Sequence, residues 1–225
     1  MKTIIDNHHS KHLPLLLFVF ITVLFASCKK DKNNTAVILP AHISILDVNI
    51  NTGVQDFYLD DSLINSSPLT FNSVSSYFAV RGGKRHVEFK NEVDLSVSAQ
   101  FDISLAPGNY YTIFYMDGNS YTTAMDDRTA PQSGKNKIRF INVDPTSTAN
   151  IDIGTGSGPA LVSNLSDKTV SAFFNVSPGA GINIYKTGVS TPLINVIIPN
   201  TTGHTYTYAI YYTGTGIGYG LYNQD

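Results

Sequence analysis

One cysteine, no tryptophan, few charges and no long apolar run: each scarcity removes a class of protein. Cys28 alone cannot close an internal disulfide, and a cysteine-rich metal centre is excluded with it. Charged residues make up 14% of the chain and the formal net charge is −2, so no basic stripe exists to displace counterions from phosphates. Nucleic acid is therefore not an expected partner. The apolar run from Leu13 to Phe25 falls short of the ~20 residues that a bilayer-spanning helix needs. No Gly-x-Ser-x-Gly turn is written anywhere. The glycine-rich stretches Gly154 to Gly158 and Gly214 to Tyr222 lack the lysine and the following helix of a phosphate loop. No catalytic residue, cofactor or metal is expected.

What the chain does have is tyrosine and phenylalanine, 13 and 12 of them, mostly in short runs with Val, Ile and Thr. Such side chains suit a pleated, half-buried surface. The chain also repeats itself. Val74-Ser75-Ser76-Tyr77-Phe78-Ala79-Val80 returns 96 residues later as Val170-Ser171-Ala172-Phe173-Phe174-Asn175-Val176. Ile43 to Val48 matches Ile138 to Val143, the segment around Asp56 matches the one around Asp152, and Gly108 to Ile113 matches Gly203 to Tyr208. Similarity that keeps its order on both sides is the mark of a duplicated structural unit.

Within the first copy, Ile43, Ile45 and Val48 open a strand whose expected partner is Asp56 to Leu59, with turn chemistry at Asn51-Thr52-Gly53. Val74 to Val80 reads as a strand, and Gly82-Gly83 as the tight hairpin after it. Arg85 to Lys90 alternates, with Val87 and Phe89 on one face; Leu95 to Leu105 continues the two-residue period. Asn109 to Met116 is apolar on both faces, as in a sheet covered on both sides or at one edge of a sandwich core. In the second copy, Asn150 to Ile153, Ile182 to Tyr185, Leu193 to Ile198 and Thr205 to Tyr212 follow the same plan. A last strand is expected at Gly214 to Tyr222, its glycines leaving one side bare.

The fold class is thus all-β, two tandem immunoglobulin-like β-sandwich domains after an N-terminal lipoprotein signal peptide. The expected divisions are a signal peptide at 1–27, a flexible tether at 28–40, a first sandwich at 41–125, a linker at 126–136 and a second sandwich at 137–225. Polar residues to His12 and the apolar run after them have the form of a signal peptide. Phe25-Ala26-Ser27-Cys28 resembles a bacterial lipobox, departing from it at Phe25, where Leu is usual. That resemblance implies acylation of Cys28, by palmitate among other chains, and a lipid-held protein of the cell envelope, at the outer membrane or the cell surface. The alternative is an ordinary cysteine at the end of a hydrophobic segment. Lys29-Lys30-Asp31-Lys32 also resembles the export signals of Bacteroidetes lipoproteins.

The opening apolar strand, the element Val54, Asp56, Phe57, Tyr58, Leu59, Asp60, the Val-Ser-x-Tyr element with Val80 and Gly83, and Pro107-Gly108 before Tyr110-Tyr111-Thr112 together resemble the bacterial domain of unknown function 4397 family in tandem copies. The second copy departs at Gly154 to Gly158 and at Thr201-Thr202-Gly203. The resemblance implies an immunoglobulin-like fold in an exported protein and brings no known activity.

Candidate chemistry is sparse. After Cys28 the histidines are His42, His86 and His204, with His86 on a wet strand face and His204 in a turn. Asp60-Asp61 and Asp126-Asp127 lack the alternating spacing that wraps calcium and read as turn residues. Asp56 and Asp152 are expected to accept hydrogen bonds from neighbouring backbone amides. Tyrosines are the best material for a ligand surface: Tyr110, Tyr111, Tyr115, Tyr206, Tyr208 and Tyr212 could offer rings to a glycan or a protein, although in a strand half of such a set must point inward. Asp61-Ser62-Leu63 resembles a Bacteroidetes O-glycosylation acceptor at Ser62. The reading is a non-catalytic envelope lipoprotein that displays two modules for binding or adhesion. The alternative is a structural spacer or accessory subunit of an envelope assembly.

Overall fold

The structure is a computed structural model that describes residues 39–116, 118–143, 150–155, 160–212 and 216–225. Cys28, the segment 1–27, the tether up to residue 38 and Gly156 to Gly158 lie outside the described residues.

Seventeen strands and no helix occur among the described residues. The first half holds β1 (Ala41–Asp47), β2 (Gln55–Leu59), β3 (Ser62–Leu63), β4 (Ser73–Val74), β5 (Phe78–Val80), β6 (Gly83–Asn91), β7 (Val97–Leu105), β8 (Tyr110–Tyr115) and β9 (Tyr121–Met125). The second holds β10 (Asn136–Val143), β11 (Ile151–Gly154), β12 (Ala160–Leu165), β13 (Phe174–Val176), β14 (Gly181–Lys186), β15 (Pro192–Ile197), β16 (Thr205–Tyr212) and β17 (Ile217–Asn223).

Four sheets result, and the halves repeat one topology. The order β3-β2-β6-β7 is matched by β12-β11-β14-β15, and β4-β1-β8-β9, with β5 also on β1, is matched by β13-β10-β16-β17. Even the short β4 has its counterpart: Leu46 pairs with Val74, and Ile141 bridges Val170.

The alternation expected for β7 holds, with Ala99, Phe101, Ile103 and Leu105 buried and Gln100, Asp102 and Ser104 exposed. Those four residues join Ile43, Ile45, Phe57, Val87 and Phe89 in the core between the first two sheets. The sheets of the second half close on Ile138, Phe140, Ile153, Ile182, Ile184 and Tyr208. A third apolar cluster joins the halves: Leu46, Val48, Phe114 and Met116 meet Ile141, Val143, Ala209 and Tyr222. The molecule is therefore four sheets deep, and its two inner sheets are covered on both faces. That is why β10 is buried at every position and why β8 is buried on both faces from Thr112 to Tyr115.

Three strand expectations fail on pairing. β1 does not pair with β2; it pairs in parallel with β8 and antiparallel with β4 and β5, while β2 lies in the other sheet beside β6. The chain crosses between sheets after β1, so adjacency in sequence is not adjacency in a ladder. For the same reason Gly82-Gly83 is no hairpin, because β5 and β6 belong to different sheets. Gly83 has a φ of 101°, and a Cβ on Gly82 would come within 2.9 Å of Pro107, so the glycines serve a crossing under the 107–108 turn. Val74 to Val80 is split between β4 and β5, with Ser75 Oγ accepting from the Ile45 amide at 2.9 Å in the gap.

Candidate functional site

The inner sheets bring together a polar cluster that pattern reading missed. Arg139, on β10, is 1% exposed and pairs with Asp126 at 2.6 Å; its Nε donates to Thr207 at 2.9 Å and its Nη2 to Thr112 at 3.0 Å. Thr112 donates to Asp126 at 2.8 Å and accepts from Gln224 at 2.9 Å, and the Tyr77 hydroxyl donates to Asp126 at 2.7 Å. Burial pushes the Arg139 guanidinium down from its ordinary value, and the Asp126 carboxylate draws it back up. Arg139 and Thr207 come from the second half and Thr112 and Tyr77 from the first, so these bonds fasten the halves together. Asp126 is not the turn carboxylate its sequence suggested. The signal that could have found the pair was a lone arginine in a strand with apolar residues on both faces.

Most candidate tyrosines are engaged elsewhere. Tyr115 and Tyr208 are fully buried and Tyr206 is 7% exposed, which corrects the expectation that they face a ligand. Tyr115 stacks on Phe89 at 4.1 Å in the first core, and Tyr206 and Tyr208 fill the second. The reason is parity: on β8 and β16 the odd and even rows face the core and the seam, and both are covered. Tyr110 stacks on His42 at 4.2 Å, and its ring also lies under Arg128 at 5.4 Å. Tyr212 borders a hollow of only about 10 Å³, with Asn49 and Tyr211, large enough for one water. Ser62 is exposed on β3, beside the turn in which Asp60 and Asp61 have φ of 48° and 64°.

Tyr111 is different. It packs against the first core from the edge, near Tyr121, whose ring stacks on Phe101. The edges of β7 and β9 stand apart there, and Asp102, Ile103, Ser104, Tyr111, Tyr121, Thr122 and Thr123 line an open groove of about 610 Å³. This is within the range of small-ligand clefts. The groove offers two half-exposed rings on an apolar floor, with hydroxyls and backbone groups on its rim. On the outer face beside it, the Asp102 carboxylate binds Lys84 at 2.7 Å and His86 at 2.9 Å. Lys84 and then His86 hold that carboxyl below its usual range, and Asp102 raises both bases. Tyr121 is a site residue outside the six tyrosines singled out from the sequence; its stacking partner, Phe101, lies on a strand of the other sheet.

The remaining polar candidates are structural. Asp152 accepts from the Asn164 amide at 2.7 Å and from Thr187 at 3.0 Å, as expected of it. His204 pairs with Asp225. Among the described residues no group of three or more His, Cys, Asp or Glu could hold a metal ion.

The family described as Domain of unknown function (DUF4397) matches residues 41–154. No curated protein matches the chain. Among solved structures, CBMbc (family CBM26) from Eubacterium rectale Amy13K, in complex with maltoheptaose, aligns at 9% identity over 82% of this chain and 97% of that one, with a TM-score of 0.30. The Bacillus anthracis TIE protein aligns at 12% identity over 77% of this chain and 34% of its own, with a TM-score of 0.25. A streptococcal virulence factor described for alpha-glucan binding aligns at 12% identity over 79% and 95%, with a TM-score of 0.28. Likeness at this level bears on neither site nor ligand.

Proposed function

Because the chain belongs to the DUF4397 family, whose matched residues contain the whole of the groove between β7 and β9, we propose that it is a non-catalytic binding protein with that groove as its site. The observation that carries the reading is the pairing of two partly exposed tyrosine rings, Tyr111 and Tyr121, with a polar rim in the open groove described above. Rings with an apolar body and a hydroxyl tip dock partners at little entropic cost. The protein is further proposed to sit in the cell envelope at the outer membrane, held by lipid on Cys28.

The test is binding of the full chain, carrying Cys28→Ala, to glycan and peptide arrays, beside Tyr121→Ala. Tyr121→Ala is expected to weaken capture of the enriched ligand at least tenfold with the fold retained. Equal capture by both proteins, or no enrichment at all, refutes the groove. The anchor is tested separately, by incorporation of labelled palmitate into cells and its loss in Cys28→Ala.

A second reading, a rigid spacer in an envelope assembly, draws on the buried Arg139–Asp126 pair that locks the halves. Crosslinking in cells that yields one dominant protein partner, insensitive to Tyr121→Ala, favours it.

A further inference from the structure

The groove has a second property besides its rings: one wall is an open sheet edge. β7 is the end strand of its sheet and runs for nine residues, Val97–Leu105. An edge of that length is a template for another strand unless something blunts it. The other outer-sheet edges are blunted. β3 has two residues, β15 opens with Pro192, and β12 meets its neighbour through two register shifts. β7 contains no proline and no lysine, and its one irregularity lies near its start, between Phe89 and Lys90 of the facing strand.

The direction of the free groups can be read from one contact. The Tyr121 hydroxyl donates to the Asp102 carbonyl at 3.5 Å, across the groove. That carbonyl therefore faces away from β6. By the two-residue period of a strand, the N–H and C=O groups of Gln100 and Ser104 face the same way. Amides and carbonyls alternating at this spacing are complementary to an extended polypeptide backbone. A sugar has no such row to offer.

Resting on the proposed binding role of the groove, we infer that its ligand is an extended segment of a partner protein, added to the sheet as a strand beside β7. Every second side chain of that segment falls over Tyr111, Tyr121 and Ile103 and must be apolar. The alternate ones lie flush with Asp102, Lys84 and His86 on the outer face and must be polar. Main-chain pairing supplies the affinity and the groove supplies the selectivity. Tyr121 gives up its long bond to Asp102 as the strand enters.

The test uses a displayed library of random linear decapeptides against the full chain carrying Cys28→Ala, with a glycan array as the other arm. Enriched peptides are expected to alternate apolar and polar residues. Gln100→Pro is expected to weaken them at least tenfold, because its ring occupies the edge and its outward N–H is gone. Proline is tolerated at an edge position whose amide faces solvent, so the unfolding temperature stays near the parent's. Hydrogen exchange on the unmutated edge gives an independent reading: a bound peptide should slow the amides of Gln100, Asp102 and Ser104. Peptides that bind Gln100→Pro as well as the parent, or that protect other amides, overturn strand addition. Glycan capture that depends on Tyr121 but not on Gln100, with no peptide enriched, also overturns it while leaving the groove as the binding site.

Discussion

Asp47 stands at the end of β1 with no exposed surface; one carboxyl oxygen accepts from the Asn49 amide at 2.9 Å and the other has no partner among the described residues. Burial raises its pKa from 3.8 to about 7, against the opposing pull of the Asn49 hydrogen bond. Tyr115 and Tyr222 are the titratable neighbours, and neither offers a positive charge. A raised folded pKa means the protonated form is preferred in the fold. Its contribution is complete below pH 3.8, is lost as the unfolded carboxyl ionises, and is gone above about pH 7. The second half supports this: at the matching register position it carries Asn142, whose amide donates to the Leu165 carbonyl at 3.1 Å. Asp47→Asn is therefore expected to match the parent in urea unfolding at pH 3.5. At pH 8 it should exceed the parent by up to roughly 4 kcal/mol, from about 1.4 kcal/mol per pKa unit. Equal stabilities at pH 8 would show that the carboxyl is solvated.

At the scale of the strand, β17 shows how a pattern can be read and its meaning missed. A last strand is legible in the run Gly214 to Tyr222, and its glycines suggest a bare side; the strand formed is β17. Instead, a Cβ on Gly218 would come within 2.8 Å of the Tyr211 ring, and one on Gly220 would collide with Tyr222 and with Asn72 of the other half. The glycines let the seam close. Gly220→Ala is expected to cost a few kcal/mol, in the range of overpacked cores, and to lower the thermal midpoint by several degrees in calorimetry. An unchanged midpoint would mean that the seam yields freely. β6, β7 and β8 were readable because a period of two or an all-apolar run is a local property. The partners of β1 and the crossing at Gly82-Gly83 were not, because pairing is settled by contacts distant in sequence. Asp126 was hidden for the same reason: a carboxylate in a Pro- and Gly-rich stretch reads as solvated until Arg139 is brought to it.

For the molecule as a whole, the duplication explains both the architecture and its asymmetry. The seam is built from matching positions of the two copies: Leu46 and Ile141, Val48 and Val143, Phe114 and Ala209, Thr112 and Thr207. Self-complementary contact of this kind is what a two-fold pair of identical modules would make. The copies have diverged at their open edges. Tyr121 and Tyr219 occupy the same place in the topology, opposite Tyr115 and Ile210, yet the groove of the first half is lined by Asp102 and Thr123, whereas the second half carries the exposed apolar side chains Ile197 and Leu221 on the corresponding strands. The composition pointed to aromatic β-sheet, and the repeat to two modules. Which tyrosines were left for a ligand depended on the seam, which no local pattern records.

The most direct test of the binding site is chemical-shift mapping of backbone amides in the full chain carrying Cys28→Ala, titrated with a peptide or glycan enriched on the arrays. The groove predicts shifts confined to Asp102 through Ser104, Tyr111 and Tyr121 through Thr123, with Gln100 joining them for a peptide. Shifts confined to the second half, or to the seam around Arg139, would contradict it.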